Sequence, residues 1–283
     1  MCGACVMDKV AGGLGRRGAL AAAAAALAGF RLSASPAAAQ AVRTAPVSRV
    51  VDLTHALRPD FPTFDGKPAI AVEPALTVAR DGYALNRLAY LEHVGTHFDA
   101  PIHWISGRES IDVSQVPPRH LIAPAVVIDR SSESAENPDY LLTVEEVRAF
   151  EDEHGPLPEG GWLLLHTGWD ARAQDAEAFL NADESGNPHS PGFDAECARW
   201  IAEESPLVGV GVETVGIDAG GAAEFDPPFP AHYYLMGTGK YGVTQLANLG
   251  ALPRTGALLI VTPLRLAGGT GSPVRALALV PQG

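Results

Sequence analysis

Four side chains that can bind a metal or move a proton fall within eleven positions of this chain: His93, His97, Asp99 and His103, in the run L-E-H-V-G-T-H-F-D-A-P-I-H-W from Leu91 to Trp104. All four sit at odd positions, so an extended segment projects them to one face of a strand and the turn after it. Two imidazoles and a carboxylate converging with room for water form the donor set of a divalent catalytic ion. A single histidine in such a segment is more often a hydrogen-bonded structural group. Four polar groups gathered on one face are costly to bury unless something compensates them, which favours a metal.

The elements that must position this cluster are mostly strands. Short apolar or β-branched runs bounded by turn residues recur at 49–53, 69–76, 88–91, 125–129, 162–166, 207–214 and 258–262, with 277–280 as a last candidate. Helix signals are fewer. Thr143 opens a T-x-E-E capping pattern into an amphipathic run to Glu153, and Asp194 precedes another that ends at Glu204 before Ser-Pro. Many strands and few helices predict an α+β fold, a mixed sheet or barrel-like β core flanked by helices. No internal repeat or linker breaks the chain, so one domain over 42–283 is expected.

With 283 residues and 47% hydrophobic composition, the chain can bury a sizeable core. Its first 41 residues read as a Tat-type export signal: Arg16-Arg17, a short apolar run from Gly18 to Phe30, then Ala-rich sequence to Gln40. This predicts a periplasmic protein. The segment carries Lys9, Arg16, Arg17 and Arg31 against Asp8, so its removal takes the net charge from −13 to −16. A surface that acidic repels phosphate backbones and anionic lipid, which argues against nucleic-acid partners and stable membrane association. Cys2 and Cys5 fall inside the signal, leaving Cys197 alone and no intramolecular disulfide in the mature chain.

The run H-V-G-T-H-F-D-A-P-I-H from His93 to His103 resembles the signature H-x-G-T-H-x-D-x-P-x-H of the cyclase family of metal-dependent hydrolases, which includes bacterial kynurenine formamidase and isatin hydrolase. The likeness continues through V-D-L-T-H (51–55), L-L-H-T-G-W (164–169), G-I-D (216–218), H-Y-Y-L-M-G (232–237), K-Y-G-V-T-Q-L-A-N-L (240–249) and G-G-T-G-S-P-V-R (268–275). It implies a cyclase-like fold, with His93, His97 and Asp99 as metal ligands and His103 as the proton-transfer residue, Asp99 also steering water. His232 matches a later histidine that serves a second zinc in the formamidase branch. Thr244 stands where that branch carries glutamate, so a second dication loses its carboxylate. The departure is similar to the isatin hydrolase branch, where a glutamine carbonyl joins one manganese ion, and Gln245 is the candidate for it. Carboxylate, amide oxygen and water suit a hard six-coordinate ion, so Mn2+ is favoured over Zn2+.

The resemblance thus implies hydrolysis of a cyclic or N-acyl aromatic amide, isatin to isatinate first and N-formylkynurenine second, by attack of water acidified at the ion. A non-catalytic metal- or ligand-binding protein is the alternative outside enzymes, and the retained His103 argues against it. Phe61, Phe64 and Trp104 are candidates for an apolar wall around an aromatic substrate, with His232 and Thr244 as substrate or ligand neighbours. Asp52 and His55 border the site by resemblance, and His166 replaces the arginine common in R-T-G-W. Relatives in this family are dimers or larger, so at least a homodimer is expected.

Overall fold

Residues 47–282 are described by a computed structural model. The expected signal and its Cys2–Cys5 pair lie outside the described residues. Twelve strands occur among them: β1 (Val47–Asp52), β2 (Ile70–Leu76), β3 (Leu85–Tyr90), β4 (His97–Asp99), β5 (Ile122–Asp129), β6 (Leu141–Leu142), β7 (Trp162–His166), β8 (Gly192–Phe193), β9 (Gly209–Val212), β10 (Tyr241–Thr244), β11 (Ala257–Pro263) and β12 (Gly271–Pro281). Eight of them form one sheet in the order β1-β12-β11-β5-β7-β9-β10-β4, and a further pairing of β4 with β12 closes seven strands into a barrel. β5, β7, β9 and β10 run parallel, while β4, β11 and β12 pair antiparallel with their neighbours. The α+β expectation, a barrel-like core with helices outside, holds.

Strand alternation explains why these segments read as unbroken apolar runs. On β7, Trp162 and Leu164 point into the barrel with Phe98, Tyr241, Val243 and Leu259. Leu163 and Leu165 point outward, where they pack with Phe150, Ile201 and Leu235 from the flanking helices. Both faces are buried, so both parities must be apolar. The helix Val144–His154 is capped by the Thr143–Glu146 box, and the Asp194 carboxylate caps Ala195–Glu203 by accepting from Cys197 N. A third outer helix, Pro230–Gly237, carried no amphipathic signal, because P-A-H-Y-Y-L-M-G is apolar over most of its surface.

Two expectations need correction. The segment from His93 to His103 is not one extended strand. Gly95 turns it through a left-handed conformation at φ +62°, β4 spans only His97–Asp99, and a 3-10 turn follows at Pro101–His103. Only His97 and Asp99 share a strand face; His93 and His103 reach it from the flanking turns. The last strand is also longer than 277–280, because Gly271 to Pro273 pairs with β4 to close the barrel.

Candidate metal centre

The short strand β4 has a neighbour on each side. Gly242 of β10 and Gly271 of β12 both lie opposite Asp99, and Thr244 lies opposite His97. The glycines make the room: a Cβ at Gly271 would stand 2.5 Å from His93 Cε1, and one at Gly242 3.0 Å from Asp99 Oδ2. Side chains at either position would fill the space where the cluster converges. Just past β10, Gln245 takes φ +55°, a conformation disfavoured for a residue with a Cβ, and this brings it to the cavity wall.

The cluster is buried and short of donors. Asp99 is 1% exposed, its Oδ1 lies 2.7 Å from His93 Nδ1 and 3.3 Å from His97 Nε2, and its Oδ2 has no hydrogen-bond partner among the described residues. His97 Nδ1 donates to Gly95 O at 2.7 Å, so its Nε2 carries the lone pair and faces Asp99 acceptor to acceptor. Gln245 donates its amide nitrogen to Val215 O at 3.3 Å, and its buried Oε1 is unpartnered. Lone pairs from a carboxylate and an amide thus lack hydrogens to receive, and the His97 Nε2 lone pair has only the Thr244 hydroxyl, 3.2 Å away, among the described residues. That is the condition a cation satisfies, and the donor set fits a hard divalent ion.

His103 joins the same group, since one ligand atom each from His93, Asp99 and His103 lie within 4.8 Å of one another. Its ring stacks on His93 at 3.8 Å. Burial, chiefly, lowers its pKa to about 4; the Asp99 charge opposes the shift, and His93, His232 and His97 add to it.

His232 donates Nδ1–H to Asp218 Oδ2 at 2.5 Å, and Asp218 also accepts from Ala231 N at the start of that helix. Burial disfavours the protonated ring, but the Asp218 hydrogen bond and the charges of Asp218 and Asp99 outweigh it, so its pKa rises. Its Nε2 lies 4.0 Å from Asp99 Oδ2, facing the cavity.

The cavity over this cluster encloses about 370 Å³ and is lined by Phe64, Trp104, Phe229, His232, Thr244 and Gln245 above the histidines. Phe64 and Trp104 are therefore at the wall, as expected. Phe61 is not: it is 2% exposed and packs with Trp169, Ala173 and Phe179 in a separate core cluster. Its side chain is spent on holding the 53–61 segment, and the adjacent Phe64, 68% exposed, occupies the wall instead. Thr244 lays its hydroxyl against the His97 ring, 3.2 Å from Nε2. Asp52 pairs with Arg275 outside the cavity, and His55 packs against Phe61. His166 lies away from the cluster, against Asp129.

Four residues at or beside the site were not among the candidates: Asp218, Phe229, Glu92 and Thr270. Asp218 and Thr270 fall in the G-I-D and G-G-T runs already noted. Phe229, left-handed at φ +54° before Pro230, offers no signal in sequence. Among the described helices, none is long and apolar enough to cross a membrane.

The chain is similar to known proteins over most of its length. The chain is 44% identical over 244 residues to isatin hydrolase of Roseibium aggregatum, covering 82% of this chain and 92% of that protein. A crystal structure of an isatin hydrolase bound to the product analogue thioisatinate superposes with a TM-score of 0.79 at 43% identity, covering 83% of this chain and 93% of the other. Kynurenine formamidase of Bacillus cereus is 27% identical over 236 residues, covering 81% of this chain and 97% of that protein. The Cyclase family model matches residues 51–219. By that match, and by its identity to isatin hydrolase over most of its length, the chain belongs to the Cyclase family.

Proposed function

We propose that this chain is a metal-dependent amidohydrolase that opens the five-membered ring of isatin to give isatinate. The observation that carries the reading is the set of unpaired acceptors, Asp99 Oδ2 and Gln245 Oε1 beside His93 and His97, beneath an aromatic-lined cavity in a chain 44% identical to an isatin hydrolase. His93, His97, Asp99 and Gln245 would hold one divalent ion. Mn2+ is favoured over Zn2+ because two of the four donors are oxygens and residue 244 is a threonine rather than a carboxylate. When bound, the ion supplies a Lewis acid for the amide carbonyl and lowers the pKa of water.

The chain's own groups carry the remaining steps. Water oxygen bonds to the carbonyl carbon, the C–N bond breaks, and the nitrogen leaves with a proton. His103 is neutral at pH 7 because burial depresses its pKa, so it can accept the proton of the attacking water at an imidazole nitrogen and return it to the departing nitrogen. His232, held by Asp218, stands where it can donate to a substrate oxygen from Nε2. Phe64, Trp104 and Phe229 bound the cavity and favour a flat aromatic substrate. Arylformamidase activity is the second reading. It is favoured by His232 Nε2 lying 4.0 Å from Asp99 Oδ2, and weakened because residue 244 is a threonine, which offers no carboxylate to a second ion.

Steady-state assay of the Mn2+-loaded protein on isatin and on N-formylkynurenine tests the assignment. Isatin is expected to be the better substrate by kcat/KM, and His103→Ala is expected to lower kcat by a factor of about 10²–10⁴. No turnover of isatin, or an unchanged kcat in His103→Ala, would overturn the reading.

We further propose that residues 1–41 are a Tat-type signal, that the hydrolase domain spans 42–283, and that it works in the periplasm as a homodimer or larger homo-oligomer. The twin arginines and the Ala-rich run support export. The β2–β3 hairpin supports self-association, since it exposes Val72, Val78, Tyr83, Leu85 and Leu88 outside the barrel.

A further inference from the structure

His93 has a second hydrogen-bonded partner, away from Asp99. Its Nε2 lies 2.9 Å from Thr270 Oγ1, and Thr270 Oγ1 lies 2.6 Å from Glu92 Oε2, which also accepts from Thr270 N at 3.1 Å. As a carboxylate, Glu92 can only accept, so the Thr270 hydroxyl proton points to Glu92. The hydroxyl oxygen is then left to accept, and among the described residues the donor facing it is His93 Nε2–H. That puts a hydrogen on Nε2, so in the neutral ring Nδ1, 2.7 Å from Asp99 Oδ1, is the nitrogen with the lone pair an ion would take.

We propose that Glu92 and Thr270 are a positioning pair that sets the tautomer and orientation of His93 for the ion, the carboxylate being felt at the imidazole through a hydroxyl. The inference rests on the metal reading given above. A histidine ligand whose far nitrogen donates to an anion is a stronger base at its near nitrogen and is held in one ring orientation. His97 reaches the same result by donating to the carbonyl of Gly95. The two imidazole ligands are thus oriented by different means, one by backbone and one by a side-chain relay.

The surrounding backbone is built to hold the relay still. The carbonyl of Thr270 accepts from Ala100 N at 2.9 Å, which ties it to the residue after Asp99. Gly269 before it is closely surrounded, since a Cβ there would stand 2.9 Å from Leu266 Cβ and Val113 Cγ1 and 3.0 Å from Glu92 Oε1. Gly271 after it gives the His93 ring its space. The three consecutive residues G-T-G at 269–271 therefore supply a closely packed glycine, the relaying hydroxyl and room for the imidazole. Neither Glu92 nor Thr270 lines the catalytic cavity, so neither touches the reacting atoms.

The test is the dissociation constant of Mn2+, measured by chelator competition on the full-length protein, together with the thermal midpoint of the metal-free form. Thr270→Val and Glu92→Ala are each expected to weaken Mn2+ binding by a factor of about 10–100. Because both break one chain, the double variant is expected to be no weaker than the worse single, while Thr270→Ser restores wild-type affinity. The metal-free midpoints should match wild type, which separates positioning from a general loss of structure. Unchanged affinity in Thr270→Val, or losses that multiply in the double variant, would overturn the relay. Wild-type protein that binds neither Mn2+ nor Zn2+ would instead overturn the metal reading on which it rests.

Discussion

The barrel carries two buried clusters of acid and imidazole, and they are compensated differently. At the candidate metal centre, Asp99 receives no hydrogen on Oδ2, and the Nε2 lone pair of His97 is aimed at its Oδ1. At the C-terminal ends of β5, β7 and β9, Asp129, His166 and Glu213 form the other cluster. There Glu213 Oε2 accepts from Thr167 N, Thr167 Oγ1 and Trp169 N, and Asp129 accepts from Ser131 N and Arg254. His166 Nδ1 stands 3.0 Å from Asp129 Oδ1. Glu213 is nonetheless pushed up, first by burial and then by Asp170, against the pull of His166 and its hydrogen bonds. Glu213 Oε1 and His166 Nδ1 are unpartnered among the described residues, as Asp99 Oδ2 is, but the other oxygen of Glu213 takes three protein donors, whereas the Asp99 cluster opens on a cavity. Similar residue types therefore differ in their surroundings: protein N–H and O–H groups converge on Glu213, while the proposed ion at the other cluster would supply the positive charge.

Substitutions at each cluster sharpen this contrast. Gly271→Ala should have the largest effect, since its methyl would collide with His93 Cε1 and Phe98 O at 2.5 Å. Mn2+ affinity and isatin turnover are expected to fall together, by a factor of about 10², as read by chelator competition and steady-state assay. Glu213→Ala should act on stability instead. It strands the buried N–H groups of Thr167 and Trp169, at a cost of about 2–4 kcal/mol by denaturant titration, with Mn2+ affinity per folded molecule unchanged. Arg254→Ala should do least: it removes a half-exposed pair with Asp129 and is expected to cost under about 1 kcal/mol. A drop in Mn2+ affinity in either of the last two would break the contrast between the clusters.

Much of this was legible in sequence, and the misses have physical causes. Strands such as Trp162–His166 announced themselves because both faces are buried and the first four residues are apolar. The short strand β4 did not, because three residues, His, Phe and Asp, carry little β-propensity. The four clustered residues were found by type and spacing, yet the single-face argument succeeded only for His97 and Asp99; Gly95 and the 3-10 turn bring in the others. Phe61 and Phe64 are indistinguishable as letters, and only the packing of Phe61 beside Trp169 and Phe179 separates core from wall. Glu92, Thr270 and Asp218 act through other side chains across long sequence separations, which no local pattern reports.

The central claim is that Asp99 and its neighbours are arranged for one divalent ion. Counting bound metal by elemental analysis of the Mn2+-loaded, desalted protein tests it most directly, with Asp99→Ala measured alongside. About one ion per chain in the wild type and none in the variant is the predicted result. A wild type that retains no ion, or a variant that retains as much, would contradict the account.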